Sequence, residues 1–361
     1  MKNKKFLTFL PYLILLVLFV AAPFLIKTGT IVKVLVTMML SIVGATSLRT
    51  ISLSGNMSFA HGAFIGLGAY TAAVLSKTVG LSMWISIPAG AVMALFLGLL
   101  TGWPFARLRT IYFCMGSMFM GQAIAQLIKG MEITGSARGM QRIPSMASAL
   151  DGVTEAIGWS SSMTTYFFFL IIVVFSLVCL YRFEHSRIGW TLKALSQSPE
   201  VAASIGINEK FYRLMSVGIG CFFAGLVGAC YAHFNTVLSP DDFAMNMTLW
   251  LIMAMMLGGG HSFLGPIIGA IIIEGINALP AVLSALTGNA GASEGFITFS
   301  RWLGTNAAYT PFLTAAVLLV MAYFVPRGIV GIPDMIRAGK EKRNAQKAAV
   351  AVTEGGETDA A

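Results

Sequence analysis

The sequence SLSGNMSFAHGAFIGLGAY, residues 52–70, separates two long apolar runs of this 361-residue chain. It contains one histidine and four glycines: His61, Gly55, Gly62, Gly66 and Gly68. Glycine costs about 1 kcal/mol relative to alanine inside a helix, so this density of glycine indicates a helix that is interrupted or unusually closely packed. Small residues let helix backbones approach each other inside a membrane.

The rest of the chain has the composition of an integral membrane protein. It is 57% hydrophobic and 11% charged, whereas soluble domains carry about 25% charged residues. The first apolar run, 6–26, follows the basic start MKNKK. This run is longer than the apolar region of a secretory signal peptide, so we expect a retained anchor helix.

Apolar runs of about 20 residues predict the transmembrane helices. We expect an all-α, polytopic integral membrane protein with about ten transmembrane helices, including broken or re-entrant segments. The predicted spans are 6–26, 31–48, 57–76, 83–106, 111–130, 163–181, 212–234, 246–259, 263–284 and 311–326. The eighth span is short and ends in LGGGHSFLG, which favours a helix broken inside protein because lipid does not tolerate unpaired backbone.

The basic residues sort by side once ten spans are assumed. With both termini in the cytoplasm, 17 of the 24 Lys and Arg residues lie inside. The seven on the outer side are Lys27, Lys33, Lys77, Lys129, Arg138, Arg142 and Arg301. Cytoplasmic loops are enriched in basic residues, so the net charge of +9 needs no nucleic-acid partner. We predict a bacterial inner-membrane protein with cytoplasmic N- and C-termini.

The chain divides into one transmembrane domain, residues 1–334, and a polar, disordered cytoplasmic tail, residues 335–361. Within the domain we expect an outer, periplasmic loop at 131–162 and a large cytoplasmic loop at 182–211. The four cysteines lie in apolar surroundings and form no CxxC pair, so we interpret them as buried hydrophobic residues. The scattered histidines do not have the spacing of a metal site.

A faint repeat relates the two glycine-rich segments. SFAHGAFIG (58–66) resembles SFLGPIIGA (262–270), and paired interrupted helices are typical of the core of a transporter. The predicted substrate pathway therefore comprises Gly55, His61, Gly62, Gly66, Gly259, Gly265 and Glu274. Glu274 is included because an acid inside a span is a functional candidate. For any single glycine, close helix packing is the stronger interpretation.

The cytoplasmic loop has clear helix signals. Residues 189–196 predict a short amphipathic helix, Pro199 follows Ser198 as the start of a second helix, and Gly206 suits its C-terminal end. This organisation predicts a surface that docks on a cytoplasmic partner. A helix lying on the lipid surface is the alternative.

Seven segments in order resemble branched-chain amino-acid ABC-transporter permeases of the LivM type. They are SLSGNMSFAHGAFIGLGAY, IYFCMGSMFMGQ, TGSARGM, SRIGWTLKALSQSPEVAASIGI, FFAGLVGACYAHF, MLGGGHSFLGPIIGA and FVPRGIVG, which together cover about residues 35–332. The chain departs from the usual pattern at Ser136-Ala137, at Gly189-Trp190 and at Gln197-Ser198. The first departure lies in the outer loop, and the other two lie in the predicted docking loop.

The resemblance implies a permease subunit of an importer for branched-chain or other hydrophobic amino acids. Its implied partners are a second permease, two cytoplasmic ATP-binding subunits, an extracytoplasmic solute-binding protein and membrane lipid. An EAA-like pattern implies ATPase coupling through Arg187, Gly189, Glu200, Ala202, Ala203 and Gly206.

No GxxxxGK[ST] loop is present in the sequence, so we expect ATP to be used by a partner and no cofactor to be bound by this chain. Without a carboxylate pair or a nucleophile–base set, we do not expect an enzyme. The alternatives are a urea or short-amide ABC permease, an ion-coupled secondary transporter, and a receptor or scaffold. The broken helices argue against the last of these.

Overall fold

The computed structural model describes residues 2–25, 29–108, 110–287, 315–316, 319 and 328–331. This part of the chain is helical, and its β-structure is a single isolated bridge. The helices are α1 (Lys2–Leu25), α2 (Gly29–Ser52), α3 (His61–Lys77), α4 (Met83–Phe105), α5 (Thr110–Gly130), α6 (Met146–Ala149), α7 (Asp151–Ile157), α8 (Ser161–Glu184), α9 (Arg187–Gln197), α10 (Pro199–Ser204), α11 (Glu209–Asn235), α12 (Met245–Gly258) and α13 (Leu264–Thr287).

Among the described residues, five helices are long and apolar enough to cross a membrane: α2, α4, α5, α8 and α11. The same part of the chain contains three shorter apolar helical stretches, namely 10–24, α12 and 264–279. The predicted all-α, polytopic fold is confirmed. Nine predicted spans correspond to helices, and the tenth, 311–326, falls mostly outside the described residues.

Helix α11 is the centre of the bundle. It packs against α2, α3 and α4, and more than half of its residues are buried. The packing is close because glycine faces glycine: a Cβ atom placed on Gly68 of α3 would overlap the backbone of Gly225 in α11. The glycine-rich stretch of α3 thus forms a helix–helix contact, as small residues do in membrane proteins.

Two interruptions divide the apolar sequence as predicted. Between α2 and α3, residues 53–60 leave the helix, and Gly55 adopts a φ of +81° that glycine tolerates best. Between α12 and α13, residues 259–263 are also non-helical. At 17 residues α3 is roughly 25 Å long, and at 14 residues α12 is roughly 21 Å long, so each is shorter than the hydrocarbon core of about 30 Å.

Both predicted loops contain short helical elements. Segment 131–162 contains the 3-10 turns Glu132–Thr134 and Ser136–Arg138, then α6, α7 and the start of α8. In segment 182–211, α8 continues to Glu184 and α11 begins at Glu209. Polar N-caps extend the helices beyond their apolar residues: Ser160 Oγ accepts from Met163 N at 3.4 Å. The tail 335–361 lies outside the described residues.

Candidate functional site

A cavity of about 350 Å³ lies among α2, α3, α11, α12 and α13. Its volume falls in the range of about 300–1,000 Å³ that is usual for small-molecule sites. The 3-10 turn Pro240–Phe243 contributes to its wall, so the cavity lies toward the end of the bundle where α11 terminates. We call this end, which is marked by the 3-10 turn (η) Pro240–Phe243, the η end. The opposite end, where α9 lies, is called the α9 end.

The cavity combines acidic groups with an apolar wall. Glu274 of α13 accepts a hydrogen bond from Ser41 Oγ of α2 at 2.6 Å. Asp241 and Asp242 lie in the turn at the η end, and Asp241 also pairs with Lys129 Nζ at 2.5 Å. The apolar part of the lining consists of Leu40, Ile65, Val227, Phe243, Met247, Trp250 and Leu251.

A layer of hydrogen bonds lies at the start of α3, next to the cavity on the side of the α9 end. Ser47 Oγ lies 2.9 Å from Nε2 of His61, a fully buried side chain. Gly62 N donates to Thr248 Oγ1 at 2.8 Å. These two bonds join α2, α3 and α12 at the start of α3, one turn before Ile65 enters the cavity wall.

The residues predicted for the pathway lie in three places. Glu274 lines the cavity, and Gly66 packs against Phe243, which also lines it. His61 and Gly62 form the layer just described. The other three glycines lie at the interruptions: Gly55 packs against Ser196 of α9, and Gly259 and Gly265 pack against each other. Their role in a pathway stays a prediction.

The predicted docking loop folds into α9 and α10. Ser186 caps α9 by accepting a hydrogen bond from Gly189 N at 3.3 Å. Leu192 and Leu195 are fully buried and anchor α9 to the bundle, whereas Trp190 on its outer face is 63% exposed. The amphipathic helix predicted at 189–196 is therefore confirmed, with slightly wider bounds.

The predicted coupling residues are spread over this α9–α10 unit. Arg187 starts α9 and is exposed, and Gly189 packs closely against the carbonyl of Glu184. Glu200 lies in the first turn of α10 and is exposed, as is Ala203, while Ala202 is buried. Gly206 ends the unit with a φ of +84° and open space around it, which suits the predicted helix stop.

No sequence pattern predicts the buried ion cluster at the α9 end. The Arg49 guanidinium forms a two-point pair with the Glu184 carboxylate, and both side chains are nearly fully buried. Lys193 Nζ of α9 lies 2.8 Å from the same carboxylate. Arg49 and Glu184 are 135 residues apart, so no local pattern reveals the pair.

The segment 131–162 is fastened to the η end. Met140 and Leu238 form the isolated bridge, and Lys77 Nζ donates to the carbonyl of Gln141 at 2.7 Å. The buried His233 lies 3.0 Å from Ser86 Oγ and 3.0 Å from the carbonyl of Pro144. Among the described residues, no group of three or more His, Cys, Asp or Glu side chains could hold a metal ion.

A family model for the permease component of branched-chain amino acid transport systems matches residues 30–326. The chain belongs to this family. Together with the apolar helices, the match identifies a multi-pass inner-membrane protein of the permease type. Membership also fits the order of the seven motifs along the sequence.

Individual relatives are similar to the chain at a lower level. The high-affinity branched-chain amino acid transport system permease protein LivM of Escherichia coli K12 is 28% identical over 277 residues, or 72% of this chain. The match spans 65% of the length of that LivM. The permease protein LivH of Salmonella typhimurium LT2 is 25% identical over 78% of this chain and 87% of its own length. No solved structure matches the chain.

Proposed function

We propose that this chain is a permease subunit of an ABC importer that moves branched-chain or other hydrophobic amino acids into the cytoplasm. Family membership over residues 30–326 is the observation that carries the proposal. The relatives are permease proteins of high-affinity branched-chain amino acid transport systems. Its partners would be a second permease, two ATP-binding subunits and an extracytoplasmic solute-binding protein, with lipid around the bundle.

The α9–α10 unit supports a cytoplasmic partner. Trp190, Val201 and Ile205 are 63%, 62% and 73% exposed on this short polar segment. Exposed apolar side chains rimmed by polar residues mark interaction sites. The acidic Glu200 and the basic Arg187 supply such a rim. An ATP-binding subunit docked here would supply the energy, and this chain itself would bind no cofactor and perform no catalysis.

The cavity at the η end suits a zwitterionic amino acid. Glu274 and Asp242 present carboxylates that attract an ammonium group, while Ile65, Leu251 and Trp250 offer an apolar surface to an aliphatic side chain. In our proposal a substrate released by the binding protein enters from this end. The hydrogen-bonded layer of Ser47, His61, Gly62 and Thr248 then keeps the pathway closed toward the α9 end.

Docking on the α9–α10 unit is tested by Gly206→Trp with Gly80→Trp as a matched control. Both glycines have positive φ, of +84° and +75°, and open space around them, so each substitution places a side chain in the same unfavourable region of backbone conformation. Gly206→Trp is expected to lower two quantities at least fivefold: the amount of ATP-binding subunit that co-purifies with the chain, and the uptake of leucine. Gly80→Trp, which lies just after the C-terminal end of α3, should leave both values unchanged.

Equal values for the two tryptophan variants would contradict docking at this surface. The substrate class is examined separately by uptake into proteoliposomes that contain the whole wild-type complex. ATP-dependent accumulation of leucine, isoleucine or valine supports the proposal, and accumulation of urea alone would favour the short-amide permease. Uptake driven by an ion gradient without ATP would favour a secondary transporter.

A further inference from the structure

Helix α9 contacts one interruption of the transmembrane bundle directly and is linked to the other through charged side chains. Its residue Ser196 lies against Gly55 in the first interruption, where a Cβ atom on the glycine would lie 3.3 Å from the serine. Its residue Lys193 binds Glu184, which binds Arg49. Arg49 in turn reaches the second interruption, between α12 and α13.

Arg49 is the hub of this arrangement. Its Nε donates to the carbonyl of Gly260 at 3.1 Å, and Nη2 donates to the carbonyl of His261 at 3.2 Å. The Nη1 and Nη2 atoms also hold the two oxygens of Glu184. One planar guanidinium therefore fixes the end of α8 and the non-helical segment 259–263 to the last turn of α2.

The environment makes these bonds strong and specific. Arg49 is 2% exposed, and charged hydrogen bonds out of water are stronger than exposed ones. Two carbonyl groups of the segment 259–263, those of Gly260 and His261, accept hydrogen bonds from this guanidinium. Lysine could replace the positive charge beside Glu184. Its single ammonium group lacks the several donors in fixed geometry with which the guanidinium binds the carboxylate and the two carbonyl groups together.

We propose that Arg49 and Glu184 are positioning residues that transmit movement of α9 to the interruption between α12 and α13. The chain of contacts runs from Lys193 through Glu184 and Arg49 to the carbonyls of Gly260 and His261. When a docked partner displaces α9, the segment 259–263 is pulled with it, and α12 moves against the layer around Thr248. The proposal rests on the docking of an ATP-binding subunit at α9–α10.

The test separates coupling from folding by counting leucine molecules transported per ATP hydrolysed. The full complex is reconstituted in proteoliposomes with its solute-binding protein. Arg49→Lys keeps a charge beside Glu184 but loses the fork to Gly260 and His261. Lys193→Met, at a side chain that is 29% exposed, removes the link from α9 to Glu184 and the contact of Lys193 Nζ with the Trp190 ring, whose centroid is 5.2 Å away. Each is expected to hydrolyse ATP within twofold of wild type and to transport at least fivefold less leucine per ATP.

Two further variants test whether the effect is specific to Lys193 and whether the contacts act in series. Lys210→Met removes another positive charge near the same end, at an exposed position, and should leave the ratio at the wild-type value. The double variant Arg49→Lys/Lys193→Met should be no worse than the more affected single variant, because contacts in series break only once. Additive losses would mean that the two side chains act independently and would overturn the proposal.

A wild-type ratio in either single variant would also overturn it. Should Arg49→Lys fail to assemble, Lys193→Met decides alone, because that substitution leaves the buried Arg49–Glu184 pair in place. A wild-type complex that shows no ATP-driven uptake would instead contradict the proposed function. The two failures are therefore distinguishable.

Discussion

The amide of Gly62 lies in the first turn of α3, where the helix itself offers no acceptor. Ala60, at the N-cap position, has no side chain that could accept the bond. Thr248 of α12 does so instead, with 2.8 Å between Gly62 N and Thr248 Oγ1. A residue from another helix therefore caps α3, and this bond holds α3 and α12 together.

Replacing Thr248 with valine keeps the shape of the side chain and removes the acceptor. The buried amide is then left without a partner, which costs about 1–3 kcal/mol. We expect Thr248→Val to lower the midpoint of thermal unfolding of the detergent-solubilised protein. Thr248→Ser, which keeps the hydroxyl, should stay much closer to wild type. The same midpoint for the valine variant as for wild type would contradict the cap.

At the scale of elements, the glycines of α3 explain why this helix can tolerate its low intrinsic propensity. Gly68 faces the backbone of Gly225 so closely that a methyl group has no space. Gly275, inside α13, has nothing within 4 Å of the position of a Cβ atom. Gly68 is tightly packed, whereas Gly275 has open space around it. Substituting each of them therefore distinguishes the effect of helix packing from the effect of helix propensity.

Gly68→Ala is expected to destabilise the protein by about 1–3 kcal/mol or more, because backbone atoms of α11 must move. Gly275→Ala should be neutral or stabilising by up to about 1 kcal/mol, since alanine is the better helix former. Thermal unfolding and the yield of monodisperse protein measure both effects. If the two alanine variants behave alike, close packing of α3 on α11 is not the reason for the glycine.

The elements themselves were largely predictable, because apolar runs, caps and glycine breaks are local signals. Pro199 and Gly206 marked α10, and the glycine clusters marked both interruptions. The contacts that organise the site were not predictable: Arg49 meets Glu184 across 135 residues, and Gly62 meets Thr248 across 186. Such pairs depend on how helices are arranged in space, which one sequence read alone does not reveal.

The two ends of the whole molecule differ in their charged residues. Arg182, Arg187, Lys193 and Lys210 surround α9 and α10 at one end. The other end carries the acidic pair Asp241–Asp242 and the segment 131–162, whose Asp151 and Glu155 are exposed along with Arg138 and Arg142. Because cytoplasmic segments are enriched in basic residues, the α9 end is expected to face the cytoplasm.

This orientation is tested with single cysteines and a membrane-impermeant maleimide. Ser204 of α10 and Ala156 of α7 are both exposed, so Ser204→Cys and Ala156→Cys give reporters at opposite ends. Ala156→Cys is expected to react in cells whose outer membrane is permeabilised, and Ser204→Cys only in inside-out vesicles. The unsubstituted protein is the control for its own cysteines, two of which are buried and two partly buried. The reverse pattern would place the α9–α10 unit outside the cell, where no ATP-binding subunit could reach it.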